Sequence, residues 1–411
     1  MMLIKNATIF TQDGVKKRDV LLKDGKIVLI EELIAPRESV KTIDAQGLYL
    51  LPGLIDLNVR FANSILNKEH IDKLAQSAIR GGVTTSVIMP DFTPRLDNAT
   101  LLELLRYKID DSRVDLKISA PLADDKDDTL NNIATLVNNG AVAIWAKSNR
   151  NANLIKRGMQ YGVMKNRPIF CSCYEPNLDD NGVMNEGEVS SKLGLPGISC
   201  VSETSEVAKV SEIAMAYKAK IVFQSLSTQR SIEILKENKK TLSNFFAEVS
   251  IHHLCKNDTQ CDGFNTYAKI MPPLRDEKNR KALLEELVSG NIDTLTSAHS
   301  PRSILYKDVA FEDAEFGIGS IEEFLGVAYT YLVKSNIIDM PHLMRLCSTN
   351  PAKILALATK GEVKEGFDAD IVLFDPNESR VIENKNSLYY KDEIFGKVKK
   401  VLVGGEILFE C

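Results

Sequence analysis

The sequence predicts an α/β fold: a (β/α)8 TIM-like barrel over 53–357, joined to a small composite β-sandwich domain made by both chain ends, 1–52 and 358–411. Three observations carry this expectation. Short apolar runs alternate with longer amphipathic runs through the middle of the chain, which is the pattern of parallel βαβ units. Both ends read instead as hairpins. The competing doubly wound open sheet lacks its nucleotide-binding fingerprint, because no Gly-x-Gly-x-x-Gly turn follows a strand.

Taken in order, residues 2–50 contain LIKNATIF, DGVKKRDVLLKDGKIVLI and KTIDAQGLYLLPG. Alternating apolar positions with Asp-Gly pairs at Asp13-Gly14 and Asp24-Gly25 signal tight antiparallel hairpins. LPGLIDLNVRF (51–61) then runs a Pro-Gly turn into an apolar strand that opens the barrel. Further strand candidates are TTSVIMP (84–90), DLKISAPL (115–122), AVAIWAK (141–147), RPIFCSC (167–173), AKIVFQS (219–225) and IDTLTSA (292–298). Helical candidates between them are KEHIDKLAQSAIRGG, ATLLELLRYKIDD, SEVAKVSEIAMAYK, QRSIEILKENKK and DEKNRKALLEELVSG. The count of repeats suits a (β/α)8 barrel. GEVKEGFDADIVLFDP and KKVLVGGEILFE near the C-terminus return to hairpin texture and are expected to pair with the N-terminal strands.

Composition narrows the function. With 44% apolar residues, 51 basic and 56 acidic side chains and a net charge of −5, the chain of 411 residues buries a large core. It shows no single-sign run of the kind that binds nucleic acid or a membrane surface. No segment has the apolar length of a membrane span, MMLIKNATIF is too short for a signal peptide, and a cytoplasmic location is expected. Seven unevenly spaced cysteines suggest free thiols rather than a disulfide framework.

In a barrel the chemistry lies at the C-terminal ends of the strands. Side chains at i and i+2 of a strand share a face, so Asn58 and Arg60 are expected in one pocket. A zinc site needs imidazole and carboxylate or thiolate ligands, yet the chain has five histidines: His70, His252, His253, His299 and His342. His70 and His342 fall in helical surroundings. His252, His253 and His299 lie near loops that could face a barrel mouth, with no carboxylate at ligand spacing. Cys171 and Cys173 form a Cys-x-Cys pair on one strand, most simply read as small buried apolar residues. Arg60, Lys147 and Arg302 could converge on the barrel mouth and hold a carboxylate or phosphate.

LPGLIDLNVRF, GGVTTSVIMPDFTP, NEGEVSSKLGLPGIS (185–199), EVSIHHL (248–254), MPPLRDEKNRKALLE (271–285), FGIGSIEEFL (316–325) and STNPAKILAL (348–357) occur in the order found in one family. The chain resembles a dihydroorotase of the long bacterial type, in the amidohydrolase superfamily, over nearly all its length. The resemblance implies a zinc-dependent cyclic amide hydrolase, and it also locates what is missing. The family's His-x-His pair falls on Asn58 and Arg60, and its strand-four aspartate at Ala146 or Lys147. Its strand-five and strand-six histidines fall on Ser172 and Ser225, and its catalytic aspartate on Ala298. Among substrate-binding positions, the arginine after the His-x-His pair is Ala62, the Met-Pro-Asn asparagine is Asp91, and the last histidine of the strand-eight motif is Arg302. His299 and Pro301 of that motif persist.

The resemblance therefore implies the fold without the cofactor: zinc is expected for the family and predicted absent here. Without ligands nothing lowers the pKa of a bound water from about 16 toward about 7, and without a carboxylate at 298 nothing protonates the leaving nitrogen. Arg60 adds a fixed cation where a metal would sit. Lys147, which could in principle be carboxylated to bridge metals, reads more simply as paired with a nearby carboxylate. Inactive members of this family act as structural partners of aspartate carbamoyltransferase, so a non-catalytic subunit of that enzyme, itself homo-oligomeric, is the leading expectation. The alternatives are an active cyclic amide hydrolase with a rebuilt site and a small-anion binding protein.

Overall fold

The structure of the protein, a computed structural model, describes residues 1–11, 14–35, 40–124 and 128–411. Its first strands are β1 (Met2–Thr11), β2 (Gly14–Lys23), β3 (Lys26–Glu31), β4 (Lys41–Asp44) and β5 (Tyr49–Pro52). β2 pairs antiparallel with both β1 and β3, and Asp24 and Gly25, at φ 49° and 75°, turn the chain from β2 into β3. A two-residue hairpin loop of this kind needs left-handed backbone at both positions, which Asp-Gly tolerates. Asp13 of the other expected Asp-Gly turn lies outside the described residues.

The barrel follows with β6 (Leu54–Val59), β7 (Val83–Ile88), β8 (Asp115–Pro121), β9 (Ala143–Lys147) and β10 (Ile169–Ser172). A short parallel pair, β11 (Met184–Asn185) with β12 (Gly197–Ile198), stands apart from it. β13 (Ile221–Gln224), β14 (Phe245–Ser250) and β15 (Thr294–Thr296) complete an eight-stranded parallel sheet in sequence order. At the seam, Arg60 N–H donates to the His299 carbonyl at 2.8 Å and Ser297 N–H to Asp56 Oδ2 at 3.0 Å, so the first and last strand ends are tied together.

The five expected helices form as Lys68–Arg80, Ala99–Asp110, Cys200–Tyr217, Gln229–Lys239 and Glu277–Val288. Each begins at a side chain that accepts an early backbone N–H, namely Asn67, Asn98, Ser199, Thr228 and Asp276, which satisfies one of the donors a helix start leaves open. In the first of them Ile71, Leu74, Ala75, Ala78 and Ile79 are buried, the one-face spacing of an amphipathic helix. Ile55, Leu57, Val87, Trp145, Phe170 and Val222 from the barrel strands pack into one buried cluster with Ala352, Ile354 and Leu355.

The chain ends with β16 (Ile371–Val381), β17 (Glu393–Val403) and β18 (Glu406–Glu410). The second sheet runs β18-β17-β16-β5-β1-β2-β3, with β4 beside β1. N- and C-terminal strands thus form one sheet domain separate from the barrel, joined where β16 pairs antiparallel with β5. That sheet has a small core of its own, including Ile4, Val20, Leu22 and Leu373. Val372, Phe374, Val398 and Val401 from β16 and β17 belong instead to the core that surrounds the barrel strands.

Candidate functional site

A cavity of about 450 Å³ opens at the C-terminal ends of the barrel strands. Asn58, Arg60, Lys147, Ser172, Ser225 and Ala298 line it, and so does Arg302. The structure therefore brings together every strand-end position singled out in the sequence. Of the two strand-four candidates, Lys147 faces the cavity, whereas Ala146 is 2% exposed and packs among the apolar residues around the barrel. Cys173 lines the cavity while Cys171 lies in the core, and burial pushes the Cys173 thiol well up.

Among the histidines, His252 and His253 line the cavity. Burial lowers them to about 3 and about 4, so both are neutral imidazoles at ordinary pH. His253 meets Ser250 Oγ at 2.8 Å through Nδ1, and His252 Nδ1 meets the Tyr389 hydroxyl at 2.9 Å, while the buried His252 Nε2 has no partner. His299 turns away: its Nδ1 accepts from the Ser320 and Ile321 N–H groups at 3.1 and 3.3 Å. With Ala62 and Pro301 it borders a neighbouring cleft of about 590 Å³, which His70 also lines. His342 sits on the short helix Met340–Met344.

Hydrogen bonds tie the strand ends into one network. Asn58 Nδ2 donates to Glu248 Oε1 at 2.7 Å and to Ser225 Oγ at 3.0 Å, while Asn58 Oδ1 accepts from Arg60 Nη1 at 2.8 Å. Arg60 Nε reaches Asp91 Oδ2 at 2.7 Å. Thr296 Oγ1 also donates to Glu248 Oε1, at 3.1 Å. Glu248 is the residue that sequence reasoning missed. It lies on β14, is fully buried, and its Oε2 has no partner. Desolvation raises its pKa to about 7, against the opposing hydrogen bond from Asn58. Asp56, buried beside it and bonded to the Asn58 and Ser297 N–H groups, is raised by the same cause to about 6.

Backbone strain marks two of the same positions. Ser225 and Ala298 hold φ at 52° and 49°, in a region that residues with a Cβ enter at a cost and that clusters at functional sites.

The donor set does not fit zinc. Its ligands are thiolate, imidazole or carboxylate, whereas the strand ends offer an amide already engaged on both atoms, a guanidinium, two hydroxyls and a methyl group. Among the described residues no group of three or more His, Cys, Asp or Glu could hold a metal ion.

A family model described as "Dihydro-orotase-like" matches residues 47–230, and one described as "Amidohydrolase family" matches 184–408. The chain is 35% identical over 381 residues to a dihydroorotase of Carboxydothermus hydrogenoformans, covering 91% of this chain and 88% of that one. It is 33% identical over 424 residues to a dihydroorotase of Elusimicrobium minutum, covering 99% and 97%. Among solved structures it is similar to the L-hydantoinase (dihydropyrimidinase) of Arthrobacter aurescens, with TM-score 0.89, 19% identity and coverage of 100% and 96%. It is also similar to the D-hydantoinase (dihydropyrimidinase) of a Thermus species, with TM-score 0.87, 22% identity and coverage of 100% and 95%. At those identities the structural likeness speaks to the fold. On the relatives' identity and coverage together, the chain belongs to the dihydroorotase-like amidohydrolase family.

Proposed function

We propose that this protein is a non-catalytic member of its family, a barrel that keeps the architecture without zinc-dependent ring hydrolysis. The observation that carries the reading is the Asn58–Arg60–Asp91–Glu248 network, closed by bonds of 2.7 to 2.8 Å, at the strand ends where the resemblance places metal ligands. A guanidinium fixed there repels a divalent cation, and the Asn58 amide oxygen beside it is held by that same guanidinium. Asn58, Ser172, Ser225 and Ala298 leave no side chain that would generate a hydroxide nucleophile or protonate a leaving amide. Purified protein assayed on dihydroorotate with added zinc, manganese or cobalt should show no turnover above buffer and no stoichiometric metal by mass spectrometry. Turnover, or one bound transition metal per chain, overturns the reading.

The same proposal assigns the barrel a structural or regulatory role toward aspartate carbamoyltransferase, supported by the family resemblance alone. Co-elution of the chain with the transferase from the same genome on size exclusion is the expected result. Separate elution at micromolar concentrations removes that partner. A second reading, a rebuilt metal-free hydrolase acting on a cyclic amide or imide, has one observation in its favour: Glu248 has a pKa of about 7, suited to general acid or base work. Glu248 stands behind Asn58 and Ser225, however, which occupy its cavity-facing side. Hydrolysis of hydantoin or dihydrouracil in the presence of chelator, lost in Glu248→Gln, would establish it.

A further inference from the structure

Several features of the molecule lie outside the network just described. The 590 Å³ cleft beside the first barrel helix mixes Arg80, Lys73 and Arg380 with Glu322, Glu323 and Glu383, so it selects no charge. The sulfurs of Cys171 and Cys173 stand 4.0 Å apart, but both side chains are buried and desolvation keeps the Cys173 thiol protonated. Two surface patches, each unusual alone, fit each other.

The first patch follows β15. Ile304, Leu305, Tyr306 and Val309 are exposed there, Leu305 by 80%. Apolar side chains exposed singly are ordinary, whereas a contiguous group marks an interaction surface. Asp308, Glu312 and Asp313 are exposed beside them, and the one base of 304–315, Lys307, is buried. This patch is therefore apolar and acidic. It is also held firmly from below, because Lys307 Nζ donates to the carbonyls of Thr266, Lys269 and Glu315 while Thr266 Oγ1 donates to the Lys307 carbonyl at 2.6 Å. A loop ordered in advance loses less entropy on docking.

The second patch is the outer face of the helix Ala152–Lys165. Between Asp128 and Glu175 the sequence has six basic residues and no acidic one, and Lys156, Arg157 and Lys165 of that group lie on this helix. Val163 and Met164 are exposed beside them. Arg157 and Met164 line a depression of about 330 Å³ together with Leu130, Gln160 and Tyr161. Asp124 and Asp128, the nearest preceding acids among the described residues, are paired with Arg95 at 2.5 Å and Arg150 at 3.8 Å. This face is apolar and basic, with a hollow where the loop has a projecting Leu305. The helix follows β9, fourth in the eight-stranded sheet, and the loop follows β15, the last. They lie on opposite sides of the barrel and cannot meet within one chain.

We infer that copies of this chain associate head to tail, the loop of one copy seating Leu305 in the depression of the next while Asp308, Glu312 and Asp313 face Lys156, Arg157 and Lys165. A contact between two different patches is heterologous: it leaves one patch free at each end and continues into a ring or an open chain instead of stopping at a pair. Opposite charges around an apolar centre fix the register and steer the encounter, and salt weakens them.

Sedimentation velocity of the purified full chain alone, from low micromolar concentration to hundreds of micromolar, tests this. The average mass should climb past that of two copies, and the climb should shrink in about 1 M salt, where exposed charges are screened beyond about 3 Å. Leu305→Asp and Met164→Asp should each weaken association about tenfold or more, as loss of a central apolar contact does, and Arg157→Glu should do so while removing the salt dependence. All three side chains are exposed, so far-ultraviolet circular dichroism should be unchanged. Mixing is the sharper measurement. Leu305→Asp keeps a working helix face and Met164→Asp a working loop, so the two variants together should form a one-to-one pair and grow no further. A chain that stays monomeric throughout, one that stops at two copies, assembly indifferent to both apolar variants, or a mixture that does not pair overturns the inference. Neither patch lies in the strand-end cavity, so the non-catalytic proposal stands or falls separately.

Discussion

Burying a carboxylate with no cation bonded to it favours its neutral form, and at Glu248 this becomes a statement about stability. Its folded pKa of about 7 lies above the ordinary 4.5, so its favourable contribution is complete below about 4.5 and is lost as pH rises through about 7. Asp56, raised to about 6, acts in the same sense. His252, His253 and His299, lowered to about 3, 4 and 3, act in the opposite one, costing stability as pH falls below 6.5. The wild-type curve therefore mixes both signs, and the difference from Glu248→Gln isolates one group. Measured by urea unfolding, the variant should gain on wild type between pH 5 and pH 8 by on the order of 2 kcal/mol. A difference that stays flat over that range would mean that Glu248 titrates normally. At Ala298, φ of 49° strains a side chain that makes no polar contact. Ala298→Gly should raise stability by about 1 kcal/mol in the same assay, and a loss would show that the methyl group packs more favourably than its backbone is strained.

At the scale of elements, what was legible in the sequence follows from how local each signal is. Helices such as Lys68–Arg80 carry both their cap and their apolar stripe within one stretch. The helix Ala152–Lys165 does not announce itself, because Gly158 and Gly162 weaken its propensity. At both glycines the helix packs closely, since a Cβ on Gly158 would stand 2.5 Å from Leu122 Cδ1 and one on Gly162 2.7 Å from Ile169 Cδ1, so a larger residue would have to displace those methyl groups. β14 escaped notice for a related reason: FFAEVS carries Glu248 in its middle, and the carboxylate's partner Asn58 lies 190 residues away. The cavity positions were readable from strand ends, but the network that joins them was not. The loop after β15 holds a comparable surprise. Lys307, 2% exposed, donates through Nζ to the carbonyls of Thr266, Lys269 and Glu315 at 3.0, 3.2 and 2.7 Å. Desolvation lowers its pKa from 10.5 to about 7, so the unfolded chain binds the proton more tightly, and stability should rise as pH climbs from about 7 toward 10.5. Lys307→Met should cost roughly 1–3 kcal/mol at pH 7 through orphaned carbonyls. It should also flatten the rise to pH 9 and speed hydrogen exchange across 303–317. Unchanged exchange there would show that the lysine does not anchor the loop.

Over the whole molecule, the chain is closed on itself by the pairing of β16 with β5, so the last strands complete a sheet begun by the first. The joint between that sheet and the barrel is apolar. Phe374 of β16 is fully buried, its ring 5.2 Å from that of Tyr329 at 73°, and Gly396 passes so close that a Cβ there would stand 2.0 Å from the Phe374 ring. Phe374 belongs to the same continuous core as Leu54, Val83 and Ile118 from the barrel strands. Loss of such a ring costs roughly 3–5 kcal/mol, and if the two sheets share their cooperativity the cost is felt throughout. Trp145, the one tryptophan in the sequence, lies within the barrel core and reports on that part alone. In Phe374→Ala the fluorescence transition of Trp145 should move to lower denaturant together with the far-ultraviolet circular dichroism transition, the two remaining superimposed. If the fluorescence midpoint stayed at its wild-type value while the dichroism split into two steps, the sheet would be melting off an intact barrel, and the joint at Phe374 would be a docking contact between independent units.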